Sequence, residues 1–158
     1  MRTARVERTI DAPAERVFEL LTDHANYRQF RGVRSSELIR EGDPDPNGVG
    51  AMRRIVFGPI RFEEEITAFE RPRRMDYVIR RVNMPLEHEG GTIDVEATEG
   101  GARVVWSSTF RLTVPVVGDP LTGAVVLSVR RGFDRIIDDV ERLLSAGADR
   151  ASTASASG

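Results

Sequence analysis

The chain has 158 residues, 40% hydrophobic and 30% charged, and its 23 basic and 25 acidic side chains leave a formal net charge of −2. That length suits one domain with a real core, and the lack of cysteine rules out disulfides, thiolate metal sites and cysteine nucleophiles. No apolar run approaches the roughly 20 residues of a bilayer span. The basic pairs Arg53-Arg54, Arg73-Arg74, Arg80-Arg81 and Arg130-Arg131 are interspersed with acids, so no nucleic-acid-binding face is expected.

Residues 4–10 alternate as a strand. The N-terminus leads straight into it with no hydrophobic leader, which makes a cytoplasmic location the expectation. Asp11 and Pro13 then read as the start of a helix over 13–22, with Asp11 placed to cap it. Val17, Phe18, Leu20 and Leu21 form its apolar stripe. A short second helix from Tyr27 to Phe30 is expected next, and His24, between the two, is expected to be exposed. Strand-length segments follow at 33–41, 49–57, 60–69, 75–82, 88–98 and 102–114. Turn formers separate them, among them the run from Gly42 to Gly48, Gly58-Pro59, Arg71-Pro72 and Gly100-Gly101. Links this short make consecutive strands antiparallel.

After Pro115 the apolar period changes from two to between three and four: Val129, Phe133, Ile136, Ile137, Val140, Leu143 and Leu144. Asp119-Pro120 and Gly147 predict a helix over 120–146, about 40 Å long at 1.5 Å per residue. Gly123, Ala124, Val125, Val126 and Leu127 are apolar on all sides, which implies burial all round or the wall of a cavity. Residues 148–158 hold no large apolar side chain and read as a disordered tail beyond a domain of residues 1–147.

The opening strand and helix pair resembles the start of the SRPBCC superfamily (START-like, polyketide cyclase/dehydrase-like). The segment from Gly48 to Arg53 is similar to the Gly-x-Gly-x-x-Arg start of the third strand in polyketide-cyclase-like members, and Glu64-Glu65-Ile66, Pro72 and Tyr77 continue the likeness. The resemblance implies an α+β helix-grip fold, β-α-α-β6-α, in which a curved seven-stranded antiparallel sheet wraps around a long C-terminal helix with an internal cavity. It implies a hydrophobic small molecule as the partner and needs no organic cofactor. Gly48-Val49-Gly50 precedes a strand instead of opening a helix, which argues against a nucleotide loop.

The hairpin register is the most useful local inference. If Gly58-Pro59 is a two-residue turn, paired residue numbers sum to 117, so Ile55 faces Phe62 and Arg53 faces Glu64. Ile60, Phe62, Ile66 and Ala68 make the even face of 60–68 apolar, which turns Arg53 and Glu64 inward as a pair. Three readings stand for it. A wet salt bridge is worth about 0–1 kcal/mol. A buried pair would cost about 3–5 kcal/mol to break. In the third, Arg53 holds a carboxylate, phenolate or enolate oxygen while Glu64 orients it or moves a proton.

Tyr77 shares a face with Met75 and Ile79, and either a core tyrosine or an acid/base tyrosine fits there. Arg53, Glu64 and Tyr77 are the catalytic candidates. With them Ile55, Phe62, Ile79, Trp106, Ser108, Phe110, Val129 and Phe133 make up the candidate ligand-binding set. Ile93, Val95 and Ala97 send His88, Asp94 and Glu96 outward, unless Gly90-Gly91 hides a bulge that would bring His88 in. The two histidines have no metal-site spacing, so no metal is expected. No serine lies in a Gly-x-Ser-x-Gly elbow, which disfavours covalent hydrolysis. Two functions follow: a carrier, sensor or sequestering protein for a hydrophobic molecule, or an enzyme that cyclises, dehydrates or hydrates an enolisable carbonyl compound. The oligomeric state is not legible.

Overall fold

The computed structural model describes residues 1–116 and 118–156. Its elements are β1 (Arg2–Ile10), α1 (Ala14–Thr22), the short 3₁₀ helix η1 (His24–Gln29), β2 (Val33–Arg40), β3 (Met52–Phe57), β4 (Ile60–Glu70), β5 (Arg74–Val82), β6 (Leu86–Thr98), β7 (Gly101–Leu112) and α2 (Gly118–Ser155). The strands form one antiparallel sheet in the order β1-β7-β6-β5-β4-β3-β2. α1 and η1 join the two edge strands, and α2 packs on β1, β7 and α1. This is the helix-grip arrangement. Its core gathers Val6, Ile10, Phe18, Leu21, Ile66, Met75, Ile93 and Val104 from the sheet and α1 with Ile136, Ile137 and Val140 from α2.

The β3–β4 hairpin has the 117-sum register, with Phe57 opposite Ile60, Ile55 opposite Phe62 and Arg53 opposite Glu64. Gly58 sits at φ 56° in the first turn position, where a glycine carries no steric penalty. Further along β4 the alternation slips. A bulge at Thr67 leaves Ala68 opposite Asp76 on the outer side and brings Phe69 inward, where its ring meets Phe18 at 5.4 Å. A second bulge, at Glu89 in β6, reverses the phase before Gly90 and turns His88 to the concave side.

Three expectations about the helices need correction. Asp11 does not cap α1. Pro13 is its N-cap, no side chain bonds there, and the Pro13 carbonyl accepts from the Val17 N–H at 3.1 Å. The apolar first half of α2 is not buried all round, because Leu121 and Leu127 are nearly half exposed. Thr122 on its inner side is buried and accepts from the Leu112 N–H at the end of β7, while Leu121 and Leu127 face away. α2 also begins two residues earlier than expected and runs past Gly147 to Ser155. A lone glycine costs a helix only about 1 kcal/mol, and the Ala-rich sequence beyond it does not stop one.

Residues 145–156 are exposed, and Ser157 and Gly158 lie outside the described residues. Deleting 148–158 is expected to leave the melting temperature within about 1 °C, since almost no surface is buried there. A larger fall in a thermal melt would show that this segment docks.

α2 is tied to the link between η1 and β2 by one fully buried carboxylate. Asp139 accepts from the Arg31 backbone N–H and from Arg31 Nε, both at 2.7 Å, and from Arg142 at 3.1 Å. Burial alone would raise its pKa, but these donors outweigh it and hold the carboxyl below its ordinary value.

Candidate functional site

The concave face carries one polar side chain on each of five neighbouring strands: Arg53 on β3, Glu64 on β4, Tyr77 on β5, His88 on β6 and Ser108 on β7. Four of them are buried and His88 is half-buried. Period-two alternation places each one, and the Glu89 bulge adds His88 to the row.

Arg53 and Glu64 are 1% and 3% exposed, which removes the wet salt bridge from the three readings. Arg53 Nε donates to Glu64 Oε1. Burial pushes the Glu64 carboxyl up, and the adjacent guanidinium only partly offsets it. The guanidinium also lies over the Tyr27 ring, 4.5 Å from its centroid, a contact worth about 2 kcal/mol when desolvated. Arg53 Nη1 is buried without a hydrogen-bond partner.

Next along the stripe, Tyr77 Oη accepts from Trp106 Nε1 at 3.0 Å. Burial, followed by the charge on Glu64, pushes the phenol pKa up, so Tyr77 is neutral. His88 stacks on the Tyr77 ring at 5.7 Å with 19° between planes. Its Nδ1 accepts from the Ile79 N–H at 3.0 Å, and its Nε2 lies 2.8 Å from Ser108 Oγ. Burial lowers the imidazole pKa to about 4. Gly91 pairs with Tyr77, and a Cβ there would overlap the tyrosine ring; the absent side chain makes the space.

Apolar residues surround the stripe. Ile55 and Phe110 are buried, Phe62, Ile79 and Val129 are half-buried, and Phe133 stacks on Trp106 at 4.1 Å with 9° between planes. Sheet and helix thus meet through that ring pair. A cleft of about 560 Å³ runs over the outward side chains Arg74, Asp94, Glu96 and Arg103 and includes none of the candidate set. Phe62 lines a second, of about 380 Å³, with Arg54, Arg61 and Arg81.

The sequence reading missed two residues. His24 is not exposed but fully buried, and Tyr27 lies over Arg53. Both ring nitrogens of His24 lack a partner, and burial, reinforced by the Arg53 charge, holds its pKa well below the usual imidazole value. The signal was the spacing of His24, Tyr27 and Phe30. In a 3₁₀ helix every third residue falls on one face, and here that face turns inward.

A curved sheet closed by a long helix, with buried polar groups on its concave side, defines a helix-grip protein of the SRPBCC type. Residues 1–144 match the family described as Polyketide cyclase / dehydrase and lipid transport, and the chain belongs to that family. The fold is similar to that of TTHA0849 from Thermus thermophilus, with 24% identity, a TM-score of 0.76 and coverage of 92% of this chain and 99% of that one. It is also similar to Ara h 8.0201, with 21% identity, a TM-score of 0.72 and coverage of 92% and 98%. The di-domain ARO/CYC BexL from the BE-7585A biosynthetic pathway is 22% identical at a TM-score of 0.70, over 89% of this chain and 47% of that one. No curated protein matches. No helix among the described residues is long and apolar enough to cross a membrane.

Proposed function

We propose that the protein binds one hydrophobic small molecule between the concave face and α2, as a carrier, sensor or sequestering protein. One observation carries this reading: Arg53 is fully buried, and although its Nε is taken by Glu64 and its guanidinium lies over the Tyr27 ring, its Nη1 has no hydrogen-bond partner. Leaving such a donor unpaired costs about 1–3 kcal/mol or more. A ligand oxygen would satisfy it, while Ile55, Phe62, Ile79, Trp106, Phe110, Val129 and Phe133 enclose the apolar remainder. Native mass spectrometry of the protein purified from its own host tests this. A small-molecule adduct of defined mass is expected from the wild type and a diminished one from Arg53→Met; an adduct equally abundant in both sinks the assignment of Arg53.

A second reading is catalysis, favoured by a neutral tyrosine and a carboxyl with raised pKa on one buried stripe, and by the likeness to an ARO/CYC protein. In it Arg53 stabilises a developing enolate, Glu64 or Tyr77 moves the proton, and the enclosure folds a flexible substrate into a reactive conformer. Proton–deuterium exchange at the methyl group of 2-acetylnaphthalene in D₂O measures this directly. Exchange no faster than in buffer leaves the binding reading alone.

A further inference from the structure

We propose that the outer side of β3, β4 and β5, at the end bearing the Gly58-Pro59 turn, is a separate binding site. It takes the phosphate monoester group of a small organic molecule between Arg54, Arg61 and Arg81. The site lies on the opposite side of the sheet from the concave stripe and does not depend on what that stripe binds.

Strand register builds it. Two rows of outward side chains cross the three strands: Arg54, Glu63 and Arg81 in one, and Val56, Arg61 and Asn83 in the next. Asn83 fixes the second row. Its Oδ1 accepts from the Arg61 N–H at 2.9 Å, its own N–H donates to the Arg61 carbonyl at 3.0 Å, and its Nδ2 donates to the Pro59 carbonyl at 3.1 Å. Arg61 is thereby the diagonal neighbour of both Arg54 and Arg81, about 7–8 Å away along the backbone and within reach of one ligand for side chains this long. With Phe62 and Val82, which oppose each other on its apolar side, these residues line the cleft of about 380 Å³. Pockets for small molecules run from about 300 to 1,000 Å³, so the cleft has room for a phosphate with an organic group attached.

Charge then selects the ligand. Glu63, its side chain only 12% exposed, lies beneath the arginines. Arg54 Nε and Nη2 donate to its Oε1 at 3.0 and 2.7 Å, and Arg81 Nη1 is 3.6 Å from its Oε2. The Arg61 guanidinium makes no hydrogen bond or ion pair among the described residues. Other exposed arginines are matched: Arg74 by Asp76 and Asp94, Arg103 by Glu7 and Glu96, Arg111 by Glu87. Here three guanidiniums line one cleft with a single carboxylate, and the group stays positive when Glu37, 3.3 Å from Arg54 Nη1, is counted. In a chain of net charge −2 this is a local excess. A phosphate monoester brings two charges and three free oxygens, and guanidinium forks match such oxygens in pairs.

Titration of ¹⁵N-labelled protein at pH 7.5, followed at the Asn83 backbone amide, tests this with phenyl phosphate and phenyl sulfate. The phosphate is expected to shift the amide and to bind several-fold more tightly than the singly charged sulfate. Arg61→Gln, at an exposed position where folding is not at stake, is expected to weaken phenyl phosphate about tenfold, the worth of one charge-assisted hydrogen bond. Arg111→Gln removes the same charge from a matched pair and should leave the affinity within about twofold. Vesicles of phosphatidylcholine with and without phosphatidate separate the sources of the group. Co-sedimentation that needs phosphatidate and is lost in Arg61→Gln assigns a lipid headgroup, and phenyl phosphate binding without co-sedimentation assigns a soluble ester. An amide that does not move, a sulfate that binds as well as the phosphate, or an equal loss in Arg111→Gln overturns the proposal and leaves the concave-face reading untouched.

Discussion

Replacing Arg53 with Met is expected to destabilise the protein by about 3–5 kcal/mol, because it strands a buried carboxylate. At this size that corresponds to roughly 6–20 °C in melting temperature. Glu64→Gln should cost about as much by leaving the guanidinium without a counter-charge. The double variant Arg53→Met/Glu64→Leu is the informative one. Removing both charges avoids both desolvation penalties, so its stability should return to within about 1–2 kcal/mol of the wild type or exceed it. A pair retained for ligand recognition then declares itself: the double variant folds well yet loses the co-purifying molecule. Urea denaturation of the three variants measures the energies. Single-variant losses below about 1 kcal/mol would mean that the pair is wet in solution.

Stability is expected to fall steeply as the pH drops from about 6.5 toward 4. His24 and His88 are the chain's only histidines. Burial depresses both folded-state pKa values, that of His88 to about 4 and that of His24 well below its ordinary value. The unfolded chain takes up protons near pH 6.5 where the folded one does not, so the stabilisation is complete above that pH and is lost below it. Two protons correspond to at most about 2.7 kcal/mol per pH unit in this window, and to less once solvent screening at half-exposed His88 is allowed for. Glu64, its pKa raised by burial, acts with the opposite sign. The salt-bridged carboxylates Glu7, Glu65 and Asp139, with lowered values, join the histidines only below about pH 4.5. Denaturation curves at pH 7.5, 6.0 and 5.0 measure the slope, and His88→Phe should reduce it. A stability that stays flat from pH 7 to 5 would show that the histidines are open to water.

The same two histidines mark where the sequence stopped being readable. Strand alternation predicts the inward side of β3, β4, β5 and β7, because each strand has one face on the core and a one-residue slip would expose that whole face. Arg53, Glu64, Tyr77 and Ser108 could therefore be placed from their neighbours, and the Gly58-Pro59 turn set the pairing of two of them. His88 could be placed only conditionally. Gly90-Gly91 permits a bulge without requiring one, and the Tyr77 ring lying across Gly91 is a contact between strands that period-two patterning cannot anticipate. The Thr67 bulge, which carries Ala68 out and Phe69 in, is likewise invisible to alternation alone.

The amino-acid sequence by itself determined the order of elements, the register of the central hairpin, the inward side of most strands and the family, since these rest on local periodicity, turn chemistry and short motifs. Tertiary structure alone decided three things: that His24 is buried, that Tyr27 lies over the Arg53 guanidinium, and that Trp106 and Phe133 join sheet to helix. Each depends on the angle at which η1 or α2 meets a curved sheet. That angle is set by side-chain packing between residues up to about a hundred positions apart, as in the Arg31–Asp139 tie, and no local pattern records it.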